Sequence, residues 1–503
     1  MARGLKKIIF IEANPPEFHV FSGMALPRLG TILLGTKLKQ AGYEVKSYVE
    51  CIEDLDIEDI LTADAVGIST LTSTSIRSYE IATLLKGVGM PVFMGGPHVT
   101  FLPEEGLKYC DYVLRGEADD VILDFVKALD TDSGFEKING LSYRKDGEII
   151  HNKATAFCKD LDTLPNPDYT IVKGLEGNAH KKFAITPVMT SRGCPYDCSF
   201  CSVTSMFGRK YRFRSKERVM EELRTNKANG GKWVFFYDDN FIANRKRTKE
   251  LLEAMIEEGV TPKWTAQLRV EVAKDPELIE LMVKSGCHTV YIGFESVNPA
   301  TLEAYNKSQS LEDIEFCIET LHKAGIRIHG MFVLGSDEDT VDTLHQTLDF
   351  AQQNKLQSIQ FLMLTPLPGT KLYFDLDREE RIMTKDWSQY DAHHVVYEPK
   401  KMPYYELLKE TISITNKFYS PWPIVDRAIH LDWFGTAIKL YGYKQARKWA
   451  RKDRALVEYM QKVSQAGKQI EIKAKQTAED LKEKFRQLEL AGNLRVQKDN
   501  RTV

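Results

Sequence analysis

The sequence predicts an α/β protein with three parts: a doubly wound, Rossmann-like domain, a partial (β/α)6 barrel of the TIM type, and a mostly helical C-terminal region. Buried strand patterns alternate with helical patterns over residues 1–150, and six further strand–helix units follow over residues 182–377. Residues 378–503 carry mainly helical patterns and end in a charged tail. Strands that alternate with helices form parallel sheets, which fixes the class of the first two parts.

The first domain is predicted from short apolar runs that end in polar or glycine-rich loops. Its strands include "KKIIFIEA", "ADAVGIST" and "MPVFMGGPHVT", and its candidate ligand loops are "ANPPEFHVFSG", "STLTSTS" and "GGPHVT". Doubly wound sheets bind ligands at the carboxyl ends of their strands. The segment 151–181 contains "LDTLPNPDYTIV", whose prolines and aspartates argue against regular structure, so we expect a linker there.

The barrel is predicted from six strands separated by helical stretches. These are "FAITPVMTS", "KWVFFYDD", "KWTAQLRV", "HTVYIGFES", "RIHGMFVLG" and "SIQFLMLTP". Barrel chemistry is built at the carboxyl ends of the strands, although polar residues there also cap helices. The polar residues at these ends are Asp238, Asp239, Gln267, Arg269, Glu295 and Ser296.

Composition limits the cell compartment and the partners that we expect for the protein. The 503 residues have a formal net charge of −3, which gives no indication of nucleic-acid binding. The basic N-terminus lacks a long apolar run, and no stretch approaches the roughly 18 apolar residues of a spanning helix. We therefore expect a cytoplasmic protein. In a reducing compartment, clustered cysteines indicate metal or redox chemistry before they indicate disulfides.

Three of the eight cysteines fall within eight residues, in "TSRGCPYDCSFCSV". Their spacing is Cys194-x3-Cys198-x2-Cys201. A zinc site usually needs a second pair of ligands, and a redox pair would not need the third cysteine. Three thiolates on one loop suit three irons of a 4Fe–4S cubane and leave the fourth iron open to a ligand.

At this point residues 182–370 resemble the radical S-adenosylmethionine (SAM) superfamily, and Phe200 before the third cysteine fits its pattern. The resemblance implies that the open iron binds SAM, whose cleavage gives a 5′-deoxyadenosyl radical that abstracts hydrogen from an unactivated carbon. It also implies that Asp238 or Asp239 holds the methionine amino group. Arg269 and Glu295 would hold the carboxylate and the ribose, and backbone of "GMFVLG", from Gly330 to Leu334 and beyond, would meet the adenine. Arg212 and Arg214 stay open between a substrate contact and a solvated strand.

The first domain resembles the cobalamin-binding type of radical SAM enzyme through "STLTSTS", "MGGPHVT" and "LRGEAD". This resemblance implies a cobalamin site whose members are Ser69, Thr70, Thr72, Gly95, Gly96, His98 and Glu117, the last of these near the domain interface. In "EFHVFSG", Glu17 and Ser22 replace the aspartate and glycine of the histidine-ligating motif, so we do not expect His19 to ligate cobalt. The alternative is a domain that keeps the fold but has lost the cofactor, or packs a hydrophobic substrate.

These resemblances predict cobalamin-dependent C-methylation of a hydrophobic substrate: a lipid, an isoprenoid or a tetrapyrrole. Ring formation or C–C coupling without methyl transfer is the alternative within the superfamily. A methylthiotransferase is disfavoured because Cys51 and Cys110 lie too far apart for a second cluster. A non-enzymatic sensor is disfavoured because it would not need the "YDD" and "GFES" strand ends.

The expected partners are a small hydrophobic molecule and an electron donor of the flavodoxin or ferredoxin type, with no nucleic acid. In "IKLYGYKQARKWARK" (438–452) six residues are basic, and Trp433 and Phe434 precede it. Such a helix can lie peripherally on the inner face of the cell membrane. Alternatively it packs its apolar stripe on the barrel and leaves its charges in solvent.

Overall fold

The computed structural model describes residues 4–15, 26–175 and 185–499. Its first sheet has the strand order 2-1-3-4-5-6-7. The strands are β1 (Lys7–Glu12), β2 (Glu44–Val49), β3 (Ala65–Ser69), β4 (Val92–Gly95), β5 (Tyr112–Leu114), β6 (Leu141–Lys145) and β7 (Glu148–His151). The helices are α1 (Leu29–Gln40), α2 (Ile57–Ile60), α3 (Ser75–Gly87), α4 (Pro97–Phe101), α5 (Pro103–Gly106) and α6 (Ile122–Thr131).

The first five strands are parallel, and both faces of this sheet are covered. Along β1, Ile8 and Phe10 join one buried cluster, whereas Ile9 and Ile11 join the cluster on the opposite face. Successive side chains of a strand point to opposite faces, so a strand buried on both sides reads as a continuous apolar run. This confirms the Rossmann-like domain that the alternating pattern predicts.

The sheet ends in a hairpin that the sequence analysis did not identify. Strands β6 and β7 pair antiparallel and are joined at Asp146 and Gly147. Both turn residues have positive φ, 52° and 86°. Asp-Gly with two left-handed residues is the signature of a type I′ hairpin turn, so the signal was present in "RKDGEI".

The segment after this hairpin packs onto the first domain instead of crossing solvent. Leu161, Leu164, Tyr169 and Ile171 are buried in the same cluster as β1. Two short 3₁₀ turns form, Leu161–Thr163 and Tyr169–Ile171. Asp168, one of the two aspartates that argued against regular structure, caps the second turn, and Asp160 caps the first, because each carboxylate accepts a backbone N–H group of its turn.

The second sheet is fully parallel, with the order 15-14-13-12-11-8, and it confirms the predicted six-stranded partial barrel. Its strands are β8 (Thr186–Val188), β11 (Trp233–Phe236), β12 (Lys263–Leu268), β13 (Cys287–Glu295), β14 (Arg327–Leu334) and β15 (Ser358–Met363). A two-residue hairpin, β9 (Ser191–Arg192) with β10 (Arg212–Phe213), flanks the cysteine loop.

The barrel strands are connected by helices that cover their outer face. These are α7 (Val203–Phe207), α8 (Lys216–Ala228), α9 (Arg245–Glu257), α10 (Pro276–Lys284), α11 (Pro299–Ala304), α12 (Leu311–Lys323), α13 (Val341–Gln353) and α14 (Lys371–Arg378). Outward-facing strand residues such as Trp264, Phe236 and Phe332 build the largest buried cluster with them. The stability of the barrel therefore comes from its outer layer.

The C-terminal region is helical, as predicted, but the stretch from residue 428 to 463 is not one helix. It contains the end of α16 (Pro421–Ile429), all of α17 (Trp433–Lys452) and the start of α18 (Arg454–Asp499). Leu431 has φ 57°, and Asp432 then caps α17 by accepting the Gly435 N–H. Among the described residues, no helix has the length and apolar character needed to cross a membrane.

Helix α15 (Tyr404–Phe418) brings the C-terminal region against the edge of the barrel. Immediately after it, the Tyr419 hydroxyl accepts from the N–H of Ile359 at 2.9 Å and donates to the carbonyl of Ile359 at 2.8 Å. One side chain thus satisfies both backbone groups of a residue in the edge strand β15. This contact holds α15–α17 beside the open side of the barrel.

Candidate active site

A cavity of about 1090 Å³ lies where the three parts of the protein meet. The first domain contributes the loops that follow β3, β4 and β5. The barrel contributes the inner face of its strands, and α17 contributes Phe434, Ile438 and Tyr441. Most of the lining is apolar or aromatic, with polar groups at the strand ends and along the inner face of the barrel, as in sites that bind large organic ligands.

The cysteine loop runs from β9 to α7 at the carboxyl end of the barrel. Gly193 precedes it with φ 93°, and a Cβ there would lie 2.5 Å from the carbonyl oxygen of Lys210. Only glycine fits such a turn. The Cys201 N–H donates to the carbonyl of Cys198, and Phe200 packs against Tyr305 with ring centroids 5.0 Å apart. The loop is therefore held by its own turn and by the barrel.

All eight cysteines lie in the described residues and are free thiols. Burial raises the pKa of Cys201 to about 12, and burial also raises the pKa of Cys198, opposed by Lys307 and Arg269. Among the described residues, no three His, Cys, Asp or Glu side chains converge on a single metal ion. Three thiols on one loop, with no fourth protein ligand, fit a 4Fe–4S cluster with one open iron.

The two aspartates after β11 play different structural parts. Asp238 is fully buried and accepts three hydrogen bonds, from the N–H groups of Thr190 and Ser191 and from the Thr190 hydroxyl, at 2.6–2.8 Å. Asp239 lines the cavity. Burial, reinforced by the Asp238 charge, raises the pKa of Asp239 to about 7. Of the two, Asp239 is the carboxyl group left available for a ligand ammonium.

The next strand ends carry paired charges. Arg269 lies over the Tyr196 ring of the cysteine loop, 3.7 Å from its centroid, and forms an ion pair with Glu271. Glu295 ends β13 with φ 64° and forms a 2.6 Å ion pair with Lys307. A left-handed non-glycine residue at a strand end is a strained conformation of the kind found at functional sites. Both side chains lie at the rim where the cysteines are held.

Gly330 and Leu334 belong to the stretch whose backbone is predicted to meet the adenine, and β14 does end at Leu334. Gly330 is in the middle of the strand, and a Cβ there would meet Leu356 and Phe294 of the outer core at 2.9 and 3.2 Å. Leu334 is buried in that same core. Their side-chain positions therefore face away from the cavity, because His329 and Met331 occupy the inward positions.

The predicted cobalamin loops divide into a front and a back layer. Ser69, Gly95, Gly96 and Glu117 line the cavity. Gly96 has φ 99°, and a Cβ there would lie 2.6 Å from the Thr70 carbonyl oxygen, so backbone replaces side chain at this wall. The Thr70 hydroxyl is buried without a partner among the described residues. A wide cavity, a glycine wall and an orphan hydroxyl fit a large flat ligand with polar side arms.

His98 and Thr72 belong to the back layer. His98 is completely buried, and its ring nitrogens lie 3.4 Å from Thr72 Oγ1 and 3.4 Å from Glu105 Oε1. Its ring also contacts Trp387. This histidine supports the loop from behind and does not line the cavity. His19 lies outside the described residues.

Buried ion pairs connect the first domain to the hairpin beside the cysteines. Glu117 receives both terminal nitrogens of Arg212, at 2.6 and 2.7 Å, and Asp119 pairs with Arg192 at 2.6 Å. Glu117 thus lies at the domain interface, as expected. Arg214 is buried against Glu222. Neither alternative considered for Arg212 and Arg214 is correct, because both arginines are internal ion-pair partners.

Several cavity residues were not identified from the sequence. Gln267 was named only as a strand end, whereas Tyr291, His329 and Ser358 line the barrel lumen and were not considered. The alternation in "HTVYIGFES" and "RIHGMFVLG" places Tyr291 and His329 on the face opposite the apolar core residues. Reading polar residues at every second strand position would have found them.

Comparison with known proteins agrees with this arrangement. A model of the radical SAM superfamily matches residues 188–351, and a model of the B12 binding domain matches residues 22–126. An uncharacterized methyltransferase of Pyrococcus horikoshii is 33% identical over 400 residues, which cover 77% of this chain and 86% of that protein. The bacteriochlorophyllide d C-12(1)-methyltransferase of Chlorobaculum tepidum is 32% identical over 427 residues, covering 84% and 89%.

A solved structure shows the same fold. The radical SAM methyltransferase TsrM from Kitasatospora setae, with cobalamin and a [4Fe-4S] cluster bound, matches with a TM-score of 0.68 at 15% sequence identity. The match covers 89% of this chain and 100% of that chain. The first domain, the barrel and most of the C-terminal region therefore share one architecture with it.

Replacing any of Cys194, Cys198 or Cys201 by alanine should abolish the cluster, because each thiolate is the only protein ligand predicted for its iron. Iron and sulfide content after anaerobic reconstitution, with the visible absorbance, measures this. The matched controls are alanine replacements of the other five cysteines, Cys51, Cys110, Cys158, Cys287 and Cys317. Loss of the cluster in a control variant that still unfolds at the wild-type temperature would show that the ligand set is different.

Asp239→Asn should modestly stabilise the ligand-free protein at pH 8, because solvent in the cavity screens part of the unfavourable ionisation, and it should weaken SAM binding. The unfolded carboxyl ionises near its ordinary pKa of 3.8, whereas the folded one ionises near 7. Ionisation of Asp239 therefore opposes folding increasingly as the pH rises from 4 to 7. The stabilisation of the Asn variant relative to the wild type should vanish near pH 4. Urea unfolding at several pH values measures it.

Asp238→Asn is the matched control, because it replaces the oxygen that accepts from the buried Thr190 hydroxyl with an NH2 donor, while the other oxygen still accepts from the N–H groups of Thr190 and Ser191. It should destabilise the protein at pH 8 by about 2–3 kcal/mol. Equal effects of the two substitutions on stability would contradict the division of roles between these neighbours.

Proposed function

We propose that this chain, which belongs to the family of cobalamin-binding radical SAM enzymes, methylates an unactivated carbon of a hydrophobic small molecule. Its cofactors are a 4Fe–4S cluster, SAM and cobalamin. When bound, the cluster and SAM supply a 5′-deoxyadenosyl radical, and cobalamin supplies the methyl group. The observation that carries the proposal is the single cavity bordered by both the cobalamin-type loops and the strand ends beside the cysteines.

The proposed cofactor sites lie in and beside the cavity: Asp239, Ser69, Gly95 and Gly96 line it, and the cysteine loop, Arg269 and Glu295 lie at the neighbouring rim. Cys194, Cys198 and Cys201 would hold the cluster, and Asp239, Arg269 and Glu295 would hold SAM. Ser69, Gly95 and Gly96 would border the cobalamin, with Thr70 behind them. The chain's own task is to orient the reacting carbon between these walls and to exclude water, for which a lining dominated by aromatic and aliphatic side chains is suited.

The apolar lining supports a lipid, an isoprenoid or a tetrapyrrole as substrate. We also propose an electron donor of the flavodoxin or ferredoxin type, since the cluster must be reduced before each turnover. The proposed units are a cobalamin-binding domain over residues 1–150, a radical SAM barrel over residues 182–377, and a helical C-terminal region over residues 378–503 that completes the cavity wall.

Anaerobic incubation of the reconstituted protein tests the reaction. The mixture contains a reductant, SAM with a deuterated methyl group, and an organic extract of cells that lack the protein. We expect a trideuteromethyl group in an extract compound, with one 5′-deoxyadenosine and one S-adenosylhomocysteine per product. Release of 5′-deoxyadenosine without labelled product would point instead to ring formation or coupling. Cys201→Ala is the control and should give neither.

We further propose peripheral association with an anionic membrane through α16 and α17. Trp422 is 71% exposed and Trp433 is 67% exposed, and Ile429 and Leu431 are equally open. Helix α17 packs Gly435, Ala446 and Trp449 inward. Its exposed face is apolar at Leu440 and Tyr441 and becomes basic toward the end of the helix. The helix therefore packs on the barrel while keeping a second apolar surface free, next to the cavity residues Phe434 and Tyr441.

Vesicles of brominated anionic lipid test this association, because bromine quenches tryptophan that enters the bilayer. The four tryptophans other than Trp422 and Trp433 are largely or partly buried, so the quenching should be lost in the double Trp→Phe variant of these two. It should weaken as salt rises and when Lys444, Arg447, Lys448 and Arg451 become glutamine. Equal tryptophan fluorescence with and without brominated vesicles would refute the proposed membrane association.

A further inference from the structure

The inner face of the barrel carries a row of polar side chains that the proposed cofactor sites do not use. Barrel interiors are ordinarily filled by branched aliphatic residues. Here Gln267 pairs with Tyr291, Tyr291 with His329, and His329 with Ser358 across neighbouring strands. One inward position deeper lies Thr265. These five residues, the polar lumen row, all line the cavity.

Two atoms of the polar lumen row are buried and lack a hydrogen-bond partner among the described residues. They are Thr265 Oγ1 and His329 Nε2, although the His329 ring does have Gln360, another cavity residue, as a polar neighbour. The His329 ring is fixed by a 2.7 Å contact of Nδ1 with Ser358 Oγ and by the Tyr291 ring, 4.7 Å away. An unpaired buried polar atom carries its full desolvation penalty, so such atoms in a ligand cavity indicate a missing partner.

The row is suited to a neutral group. Burial lowers the pKa of His329 to about 4, with a smaller opposing contribution from Gln360. The imidazole is therefore uncharged at neutral pH. No carboxylate or amine belongs to the polar lumen row, and the hydroxyl and amide groups beside His329 can both donate and accept. The nearest cation in the lining is Arg327, in the strand layer of Thr265, and its charge is paired with Asp432 at 3.4 Å.

The row is also separate from the strand ends where SAM is proposed to bind. Along β13, Tyr291 precedes Glu295 by four residues, a rise of about 13 Å. A group bound at the row would lie deep in the lumen, with the rest of its molecule extending toward the cofactors. The distance is too long for one side chain to serve both places.

We propose that the polar lumen row is a substrate subsite. It would receive a neutral hydrogen-bonding group of the hydrophobic substrate, such as a hydroxyl, a carbonyl or a ring N–H. That group would lie on the order of 10 Å from the carbon that reacts. The proposal rests on the proposed function and deepens it, because it adds a polar handle and its position to an otherwise apolar substrate.

Thr265→Val tests the subsite without knowledge of the substrate, because it removes only the orphan hydroxyl. In the ligand-free protein its unfolding temperature should equal or exceed that of the wild type. The matched control is Thr186→Val in β8, whose buried hydroxyl donates to Asn226 at 2.9 Å. That control should unfold about 2–4 °C lower. An equal fall in the unfolding temperature of Thr265→Val would overturn the proposal.

A second experiment measures methyl transfer to compounds of the organic cell extract over a range of extract concentrations. Thr265→Val and His329→Phe should each raise the concentration needed for half-maximal labelling about tenfold or more, and His329→Gln should recover part of the loss. Thr186→Val should label as the wild type does. If the wild type labels and the two lumen variants match it, the subsite is refuted. If the wild type itself fails to label, the proposed function fails, and the unfolding comparison still decides whether the row is reserved for a ligand.

Discussion

Two buried ion pairs set the geometry on which the site depends. Arg212 with Glu117, and Arg192 with Asp119, join the loop after β5 to the hairpin that flanks the cysteine loop. Cys158 of the connecting segment takes part, since its N–H donates to Glu117 and its carbonyl accepts from Arg212. Buried pairs add little net stability, but breaking one costs about 3–5 kcal/mol. They therefore select one docking of the two domains and hold the cobalamin-type loops opposite the cysteines.

The open cavity lowers the stability of the fold, because the barrel lumen contributes few packed aliphatic contacts. The outer layer offsets this. Trp264, Phe236 and Phe241 stack together under the helices, with Phe236 and Phe241 centroids 4.3 Å apart. Tyr419 closes the edge of β15, and α17 covers the open side of the barrel. Stability and ligand binding are thus assigned to opposite faces of the same strands, which lets the inward residues be polar where a substrate requires it.

Local patterns were enough to predict the six barrel strands, the first domain and the cysteine loop, because each depends on neighbours in sequence. The Asp146–Gly147 hairpin was equally local and was overlooked. The roles of Asp238 and Asp239 could not be separated from the sequence, since they depend on whether Thr190 and Ser191, almost fifty residues earlier, donate to one of them. Likewise, Arg212 binds Glu117, which lies 95 residues earlier in the chain, and no pattern in "KYRFRS" predicts that partner.

The central claim is the proposal that the cluster lies at the rim of the cavity that the cobalamin-type loops border, with the two sites held close together by the interface ion pairs. Electron paramagnetic resonance of the reconstituted protein tests it directly, with cobalamin in its paramagnetic Co(II) state. Reducing the cluster to its paramagnetic form should broaden the Co(II) signal through dipolar coupling, and Cys201→Ala should abolish that broadening. A Co(II) signal that does not change when the cluster is reduced would place the two cofactors too far apart for a shared cavity and would contradict the account.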